Sequence, residues 1–79
     1  MEYDLKKWVL RTWITDRRYY IGEVKQMLGG EWVCRQRWGS RTSRFSRSRN
    51  LPATSYAEAL SLLDATAKRR TARGYRLAE

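Results

Sequence analysis

Glu31 to Arg41 reads E-W-V-C-R-Q-R-W-G-S-R. Trp32, Cys34, Gln36 and Trp38 alternate with Val33, Arg35 and Arg37, the period of two that marks a strand over 31–38. One side of this strand is apolar, and the other carries Arg35 and Arg37 as a row of cations. Gly39-Ser40 ends it. Immediately upstream, Leu28-Gly29-Gly30 is a turn, because glycine reaches positive φ at no steric cost. Residues 19–27, Y-Y-I-G-E-V-K-Q-M, are strand-like in composition. Two strand-like runs flanking a Gly-Gly turn predict an antiparallel hairpin. Gly22 inside the first run predicts either a bulge or a close approach by a neighbouring bulky ring.

The flanks extend this hairpin. Residues 6–15, K-K-W-V-L-R-T-W-I-T, are rich in Trp, Val, Ile and Thr and carry no helix cap, so they predict a strand. Trp8, Leu10, Thr12 and Ile14 would share one face and Val9 and Trp13 the other, so both faces are expected to be covered. Asp16-Arg17-Arg18 is a short polar connection. Arg41 to Asn50, R-T-S-R-F-S-R-S-R-N, alternates serine with arginine. That pattern suits a disordered arm or an exposed edge strand, since charge protects an edge from pairing with other chains. Phe45 favours the strand, a mobile one that Leu51-Pro52 closes.

Ser55-Tyr56-Ala57-Glu58 is a capping box, with serine at N-cap and glutamate at N3. Tyr56, Ala59, Leu60, Leu63, Ala67 and Arg70 then recur at helical spacing as a stripe facing the sheet. Basic residues collect near the end of the helix, where they complement its dipole. Gly74 stands where a C′ glycine is expected, and Tyr75 and Leu77 are expected to tuck back toward the sheet. With no internal repeat or linker, residues 1–79 form one domain of α+β class. It comprises a small antiparallel sheet of about four strands against one long C-terminal helix.

Charge is the strongest global property. Lys plus Arg is 17 and Asp plus Glu is 8, a net of +9. Residues 1–34 hold six bases and five acids, whereas 35–79 hold eleven bases, ten of them arginine, against three acids. Arginine forks onto phosphate oxygens and stacks on flat rings better than lysine does. An arginine-rich half interleaved with aromatics therefore points to a polyanion, nucleic acid foremost. An anionic protein, a membrane face and a generic basic surface that aids solubility are the other readings of that charge.

Enzymatic chemistry has little to work with. There is no histidine, which removes histidine acid–base catalysis and most zinc sites. The eight acids are scattered, and neither G-x-x-x-x-G-K-[ST] nor G-x-G-x-x-G occurs. No catalytic residue, metal site or small-molecule cofactor is expected. Cys34, the single cysteine, is expected to be a buried small hydrophobe. It permits no internal disulfide, which favours a reducing compartment. No run approaches the roughly 20 apolar residues of a membrane span. Met1–Lys7 holds no apolar leader segment, so the expected location is the cytoplasm, in contact with the nucleoid.

Several residues together resemble a known family. They are Tyr19-Tyr20 at a strand start, the glycine turn, W-V-x-R-x-R-W-G from Trp32, the basic strand, S-x-x-E-A-L from Ser55, and K-R-R-x-x-R-G-Y from Lys68 to Tyr75. Over residues 5–77 this set is similar to the WGR domain, found in DNA-damage-activated poly(ADP-ribose) polymerases and as short free-standing bacterial proteins. The resemblance implies an antiparallel sheet with one helix and binding to DNA near breaks. It also implies that Trp38 stacks on a terminal sugar. Ser40 departs from the pattern, standing where the motif has arginine, and Thr42 stands where a glycine usually follows. Arg41 could stand in for the missing arginine only if the chain has already left the strand, since a one-residue shift along a strand reverses the face.

The expected function is a non-enzymatic module that binds DNA, with ends or nicks as the preferred structure. RNA is a further possible ligand. The expected contact residues are Arg35, Arg37, Trp38, Gly39, Arg41, Arg44, Arg47 and Arg49, with Lys68, Arg69 and Arg73 from the helix end. The alternative is a protein-interaction module that docks an acidic partner on the same basic surface.

Overall fold

The computed structural model describes residues 7–78. The first of the expected strand residues, Lys6, lies outside that range, as does most of the Met1–Lys7 stretch in which no apolar leader is expected. Six elements follow in order: β1 (Val9–Ile14), β2 (Arg18–Gln26), β3 (Trp32–Ser40), β4 (Ser46–Ala53), α1 (Tyr56–Ala72) and β5 (Arg76–Ala78). The strands form one antiparallel sheet in the order β4-β3-β2-β1-β5. The helix leaves the β4 edge and delivers the chain to the opposite edge, so it crosses one face of the sheet.

The β2–β3 hairpin is the centre of the sheet. Its register is unbroken from Arg18↔Ser40 to Gln26↔Trp32, so Gly22 is not a bulge. A Cβ on Gly22 would come within 2.7 Å of the Leu63 side chain and 3.1 Å of the Trp13 ring. Gly22 is therefore the close-approach glycine, and its bare backbone lets the helix settle onto the sheet. The connecting turn closes through Gly30 N–H to Met27 carbonyl at 2.9 Å, with Gly30 at φ 93°.

Paired residues in an antiparallel sheet share a face. The helix side therefore carries the row Arg47–Trp38–Tyr20–Trp13–Leu77 and, parallel to it, Arg49–Gln36–Gly22–Arg11. Trp13, Tyr20, Val24, Cys34, Ala59 and Leu63 form the buried cluster between sheet and helix. Val9, Trp32, Tyr56, Leu60 and Ala67 pack around it, which places the expected helical stripe where it was drawn. Thr66, a polar member of the same helix face, is also fully buried.

Three expectations are corrected. The fourth strand begins at Ser46, not Arg41, and runs through Leu51 and Pro52 to Ala53. Arg41 to Phe45 are the connection. Pro52 is tolerated because β4 is an edge and one of its sides has no strand to receive an N–H. The face of β1 that carries Leu10 is only partly covered: Leu10 is 55% exposed, and Thr12 and Ile14 are half-buried. Finally, the tail adds a fifth strand. Tyr75 packs on the core, but Leu77, although paired with Trp13, stays half exposed.

Both helix ends are capped by the residues expected. The Ser55 side chain accepts the Glu58 N–H at 3.1 Å. The Glu58 carboxylate accepts from the Thr54 hydroxyl at 2.7 Å, whereas the capping box predicts that it turns back to the N-cap amide. At the other end Gly74, φ 86°, turns the chain. Gly74 N–H donates to the Thr71 carbonyl and Tyr75 N–H to the Arg70 carbonyl, at 3.1 and 3.0 Å. This is the pair of bonds of a Schellman motif, and it brings Tyr75 back over the sheet.

Candidate nucleic-acid interface

At the end of the sheet where the helix stops, the Thr15–Arg18 turn, the β3–β4 connection and the helix C-terminus enclose a groove of about 1190 Å³. Six arginines line it: Arg17 and Arg18 from the turn, Arg47 and Arg49 from β4, and Arg70 and Arg73 from α1. Tyr19, Tyr20, Trp38, Phe45 and Tyr75 supply rings, and Thr15, Ser40, Thr42 and Ser43 supply hydroxyls. Among the described residues no carboxylate lines it.

Rings and guanidinium groups are organised into a line of contacts. The Arg70 guanidinium lies 4.2 Å from the centre of the Tyr20 ring. Tyr20 stacks on Trp38, centroids 5.7 Å apart and planes within 10°. Arg49 lies 5.8 Å from the Trp38 ring. Arg70 also touches Tyr75 at 5.1 Å, and Arg47 lies 5.5 Å from Phe45. Cation–π attraction holds a guanidinium flat on a ring while its N–H edge remains available to an anion. The Nε of Arg70 is buried and makes no hydrogen bond.

Arg49 has a second restraint beneath it. Its Nε donates to Gln36 Oε1 at 2.7 Å. Gln36 Nε2 donates to Thr66 Oγ1 at 2.7 Å, and Thr66 donates to the Leu62 carbonyl at 2.9 Å. Gln36 and Thr66 are 0% and 1% exposed, so this relay fixes Arg49 from inside the protein. The three hydrogen bonds run in one direction, each donor meeting one acceptor.

The expected contact residues divide. Trp38, Gly39, Arg47, Arg49 and Arg73 line the groove. Arg35 and Arg37 do not: strand alternation puts them on the opposite face, in a smaller depression with Leu10, Ile21 and Glu23. Arg44 lies exposed in the β3–β4 connection, and Lys68 and Arg69 on the exposed side of α1. Arg41 has left the strand, as a stand-in for the motif arginine would require. It points elsewhere, however, its Nη1 donating to the Thr15 carbonyl at 2.8 Å. The cation nearest Ser40 in register is instead Arg18, its partner across β2 and β3.

The Trp38–Gly39 corner differs from the open platform that a bare glycine beside an indole suggests. A Cβ on Gly39 would run into the Phe45 carbonyl and lie 2.8 Å from the Tyr19 hydroxyl. The space that glycine leaves is thus filled by this chain's own Tyr19 and Phe45. Trp38 is half-buried with Tyr20 stacked on it.

Tyr20, Tyr75, Arg18 and Arg70 were not among the expected contacts. Tyr20 was hidden because its place beside Trp38 depends on register. Arg70 did leave a signal, as the one charged residue in an otherwise apolar helical stripe.

Burial pushes the Cys34 thiol pKa up, opposed by the positive charges of Arg49 and Arg69. It is fully buried in the core and takes no part in the groove. Among the described residues no group of three His, Cys, Asp or Glu could hold a metal ion, and no helix is long and apolar enough to cross a membrane. No protein-family model, curated protein or solved structure matches the chain.

Proposed function

We propose that this protein is a non-enzymatic nucleic-acid-binding module that takes DNA, with a preference for ends or nicks, in the arginine-lined groove. The observation that carries the reading is the lining itself, six arginines and four serine or threonine hydroxyls with no carboxylate among the described residues. A cationic ligand meets like charge there, whereas a phosphodiester backbone meets donors on several sides. The resemblance to WGR domains supports the same ligand class and the preference for breaks. Such a role belongs in the cytoplasm at the nucleoid and needs no cofactor. RNA shares the backbone chemistry, and competition between matched DNA and RNA separates the two.

The test is a titration of labelled nicked and intact duplexes over a range of salt. Affinity should fall with a log–log slope of about −0.9 for each phosphate neutralised, and the nicked duplex should bind more tightly. No binding to either at low salt overturns the reading, and equal binding removes the preference for breaks.

A second reading has its own observation. Arg35 and Arg37 stand beside exposed Leu10 and the half-buried Ile21 on the sheet face that the helix leaves open. Cations next to apolar side chains suit an acidic protein partner. Copurification of a defined partner that survives nuclease treatment, and is lost in Arg35→Glu/Arg37→Glu, would establish it.

A further inference from the structure

We infer that the groove grips its ligand through phosphate oxygens alone, and that Trp38 is a positioning residue for arginine rather than a stacking platform. The inference rests on the nucleic-acid reading above and changes what that reading says the ligand touches. Its shared chemistry is a chain of phosphates, whether in a nucleic acid or in inorganic polyphosphate.

The rings in the groove are already engaged. Tyr20 is only 6% exposed and sits between Arg70 and Trp38 in the line of contacts. Trp38 has Tyr20 stacked on it and Arg49 near it. Tyr75 is in contact with Arg70 and, edge-on, with Tyr20. Tyr19 fills the space at Gly39. Phe45, the most exposed ring at 51%, lies under Arg47. A base or sugar stacking on Tyr20, Trp38, Tyr75 or Phe45 would have to displace a guanidinium that already lies there.

The guanidinium groups, by contrast, are held and incompletely used. Arg49 is fixed at Nε by Gln36, which commits one donor and leaves the Nη groups. Arg70 is pinned by two rings, and its hydrogen-bonding capacity is not met by any protein acceptor at Nε. Arg70 is also placed by the helix end, because the Tyr75 that covers it is held by the hydrogen bond to the Arg70 carbonyl. Restrained guanidinium groups lose less conformational freedom when they meet an anion, and their fork geometry matches phosphate. A four-part line from Arg70 through Tyr20 and Trp38 to Arg49 therefore amounts to two phosphate clamps on one rigid aromatic spacer.

The decisive probes differ only in what the phosphates carry. Oligothymidylate has bases and sugars, an abasic oligomer of the same length has sugars alone, and linear inorganic polyphosphate has neither. The wild-type protein should bind oligothymidylate, and the abasic oligomer and polyphosphate should compete with it within about threefold per phosphate. Base stacking on an aromatic ring would instead make the abasic oligomer weaker by roughly 5- to 150-fold. That result overturns the inference and leaves the nucleic-acid reading standing. So does binding to a nicked duplex without binding to oligothymidylate. Failure of every nucleic acid to bind at low salt removes both.

Variants add a check that does not depend on the probe. Arg70→Gln and Arg49→Gln should each lower the log–log salt slope on single strands by about 0.7. Trp38→Ala should weaken thymidylate and abasic oligomers by the same factor, and Trp38→Phe, which keeps a ring for Tyr20 and Arg49, should restore most of the loss. A Trp38→Ala penalty confined to the base-bearing strand overturns the inference. If Trp38→Ala unfolds the domain, the comparison of probes on the wild-type protein stands by itself.

Discussion

At the scale of single residues, the molecule spends its buried polar groups on orientation. Gln36 is fully buried and bonded on both sides, accepting from Arg49 and donating to Thr66. Thr66→Val would leave the Gln36 amide N–H buried without an acceptor, at a cost of about 1–3 kcal/mol. Gln36→Leu removes donor and acceptor together, Thr66 keeps its bond to Leu62, and exposed Arg49 can turn to water. It should therefore destabilise less than Thr66→Val while weakening DNA binding more. Urea denaturation and a binding titration on the two variants test this, and the reverse order in stability would remove the relay as the explanation. Cys34 supplies a second residue-scale expectation. Its folded thiol pKa lies above the unfolded value because burial disfavours the thiolate. The stabilising contribution is thus complete below the unfolded thiol pKa, about 8.5, and is lost as pH rises toward the folded value, because the unfolded chain releases the proton first. The urea midpoint of the wild type should fall above about pH 8.5, and Cys34→Ala should flatten that part of the decline. Neither the relay nor Tyr20's place beside Trp38 is legible in the sequence, since Gln36 and Thr66 lie 30 positions apart. Their pairing depends on how the helix seats on the sheet.

At the scale of elements, the helix end does two jobs. It terminates α1, and it returns Tyr75 to the core so that Arg70 has rings on which to lie. Gly74 holds this turn at φ 86°, with nothing within 4 Å of where a Cβ would stand. Gly74→Ala therefore costs backbone strain alone, about 1–2 kcal/mol, with a Tm fall of roughly 4–8 °C per kcal/mol in a domain of this size. Binding should drop in the same variant, because the Tyr75 contact with Arg70 depends on the turn. Unchanged Tm and unchanged affinity would show that the turn does not matter to either. The hairpin and both helix caps were readable because each depends on neighbours within a few residues. The start of β4 was not. Arg41 to Arg44 and Arg47 to Asn50 each hold two arginines and two small polar residues, and the strand begins where pairing with β3 begins, at Ser46 opposite Gly39. The short β5 had no alternation of its own to announce it, and exists because Gly74 aims the chain at the free edge of β1.

At the scale of the whole molecule, one sheet separates two basic surfaces. Arg47 and Arg49 face the groove beside the helix end, and Arg35 and Arg37 face the open side. The two pairs are close in sequence and opposite in space, so exchanging them tests which surface binds. Arg47→Gln/Arg49→Gln should weaken nicked-duplex binding strongly and lower the salt slope by about 2. Arg35→Gln/Arg37→Gln removes the same charge and should have only the smaller effect of a lower overall field. Equal losses in the two double variants would mean that the net charge, not the groove, attracts the ligand.

The sequence by itself determined the α+β class, the central hairpin, the capped helix and the basic, histidine-free character that turns attention to polyanions. These follow from local periodicity, turn chemistry and composition, which need no knowledge of distant partners. Only the tertiary structure decided which arginines share a surface, and which side chains surround Trp38-Gly39. Strand alternation sends Arg35 and Arg37 away from Trp38, while register and helix docking bring Tyr20, Arg49 and Arg70 to it. The bare glycine that suggested an open platform is occupied by Tyr19 and Phe45. Side-chain neighbourhoods of this kind depend on pairings across tens of residues, and a linear pattern does not carry them.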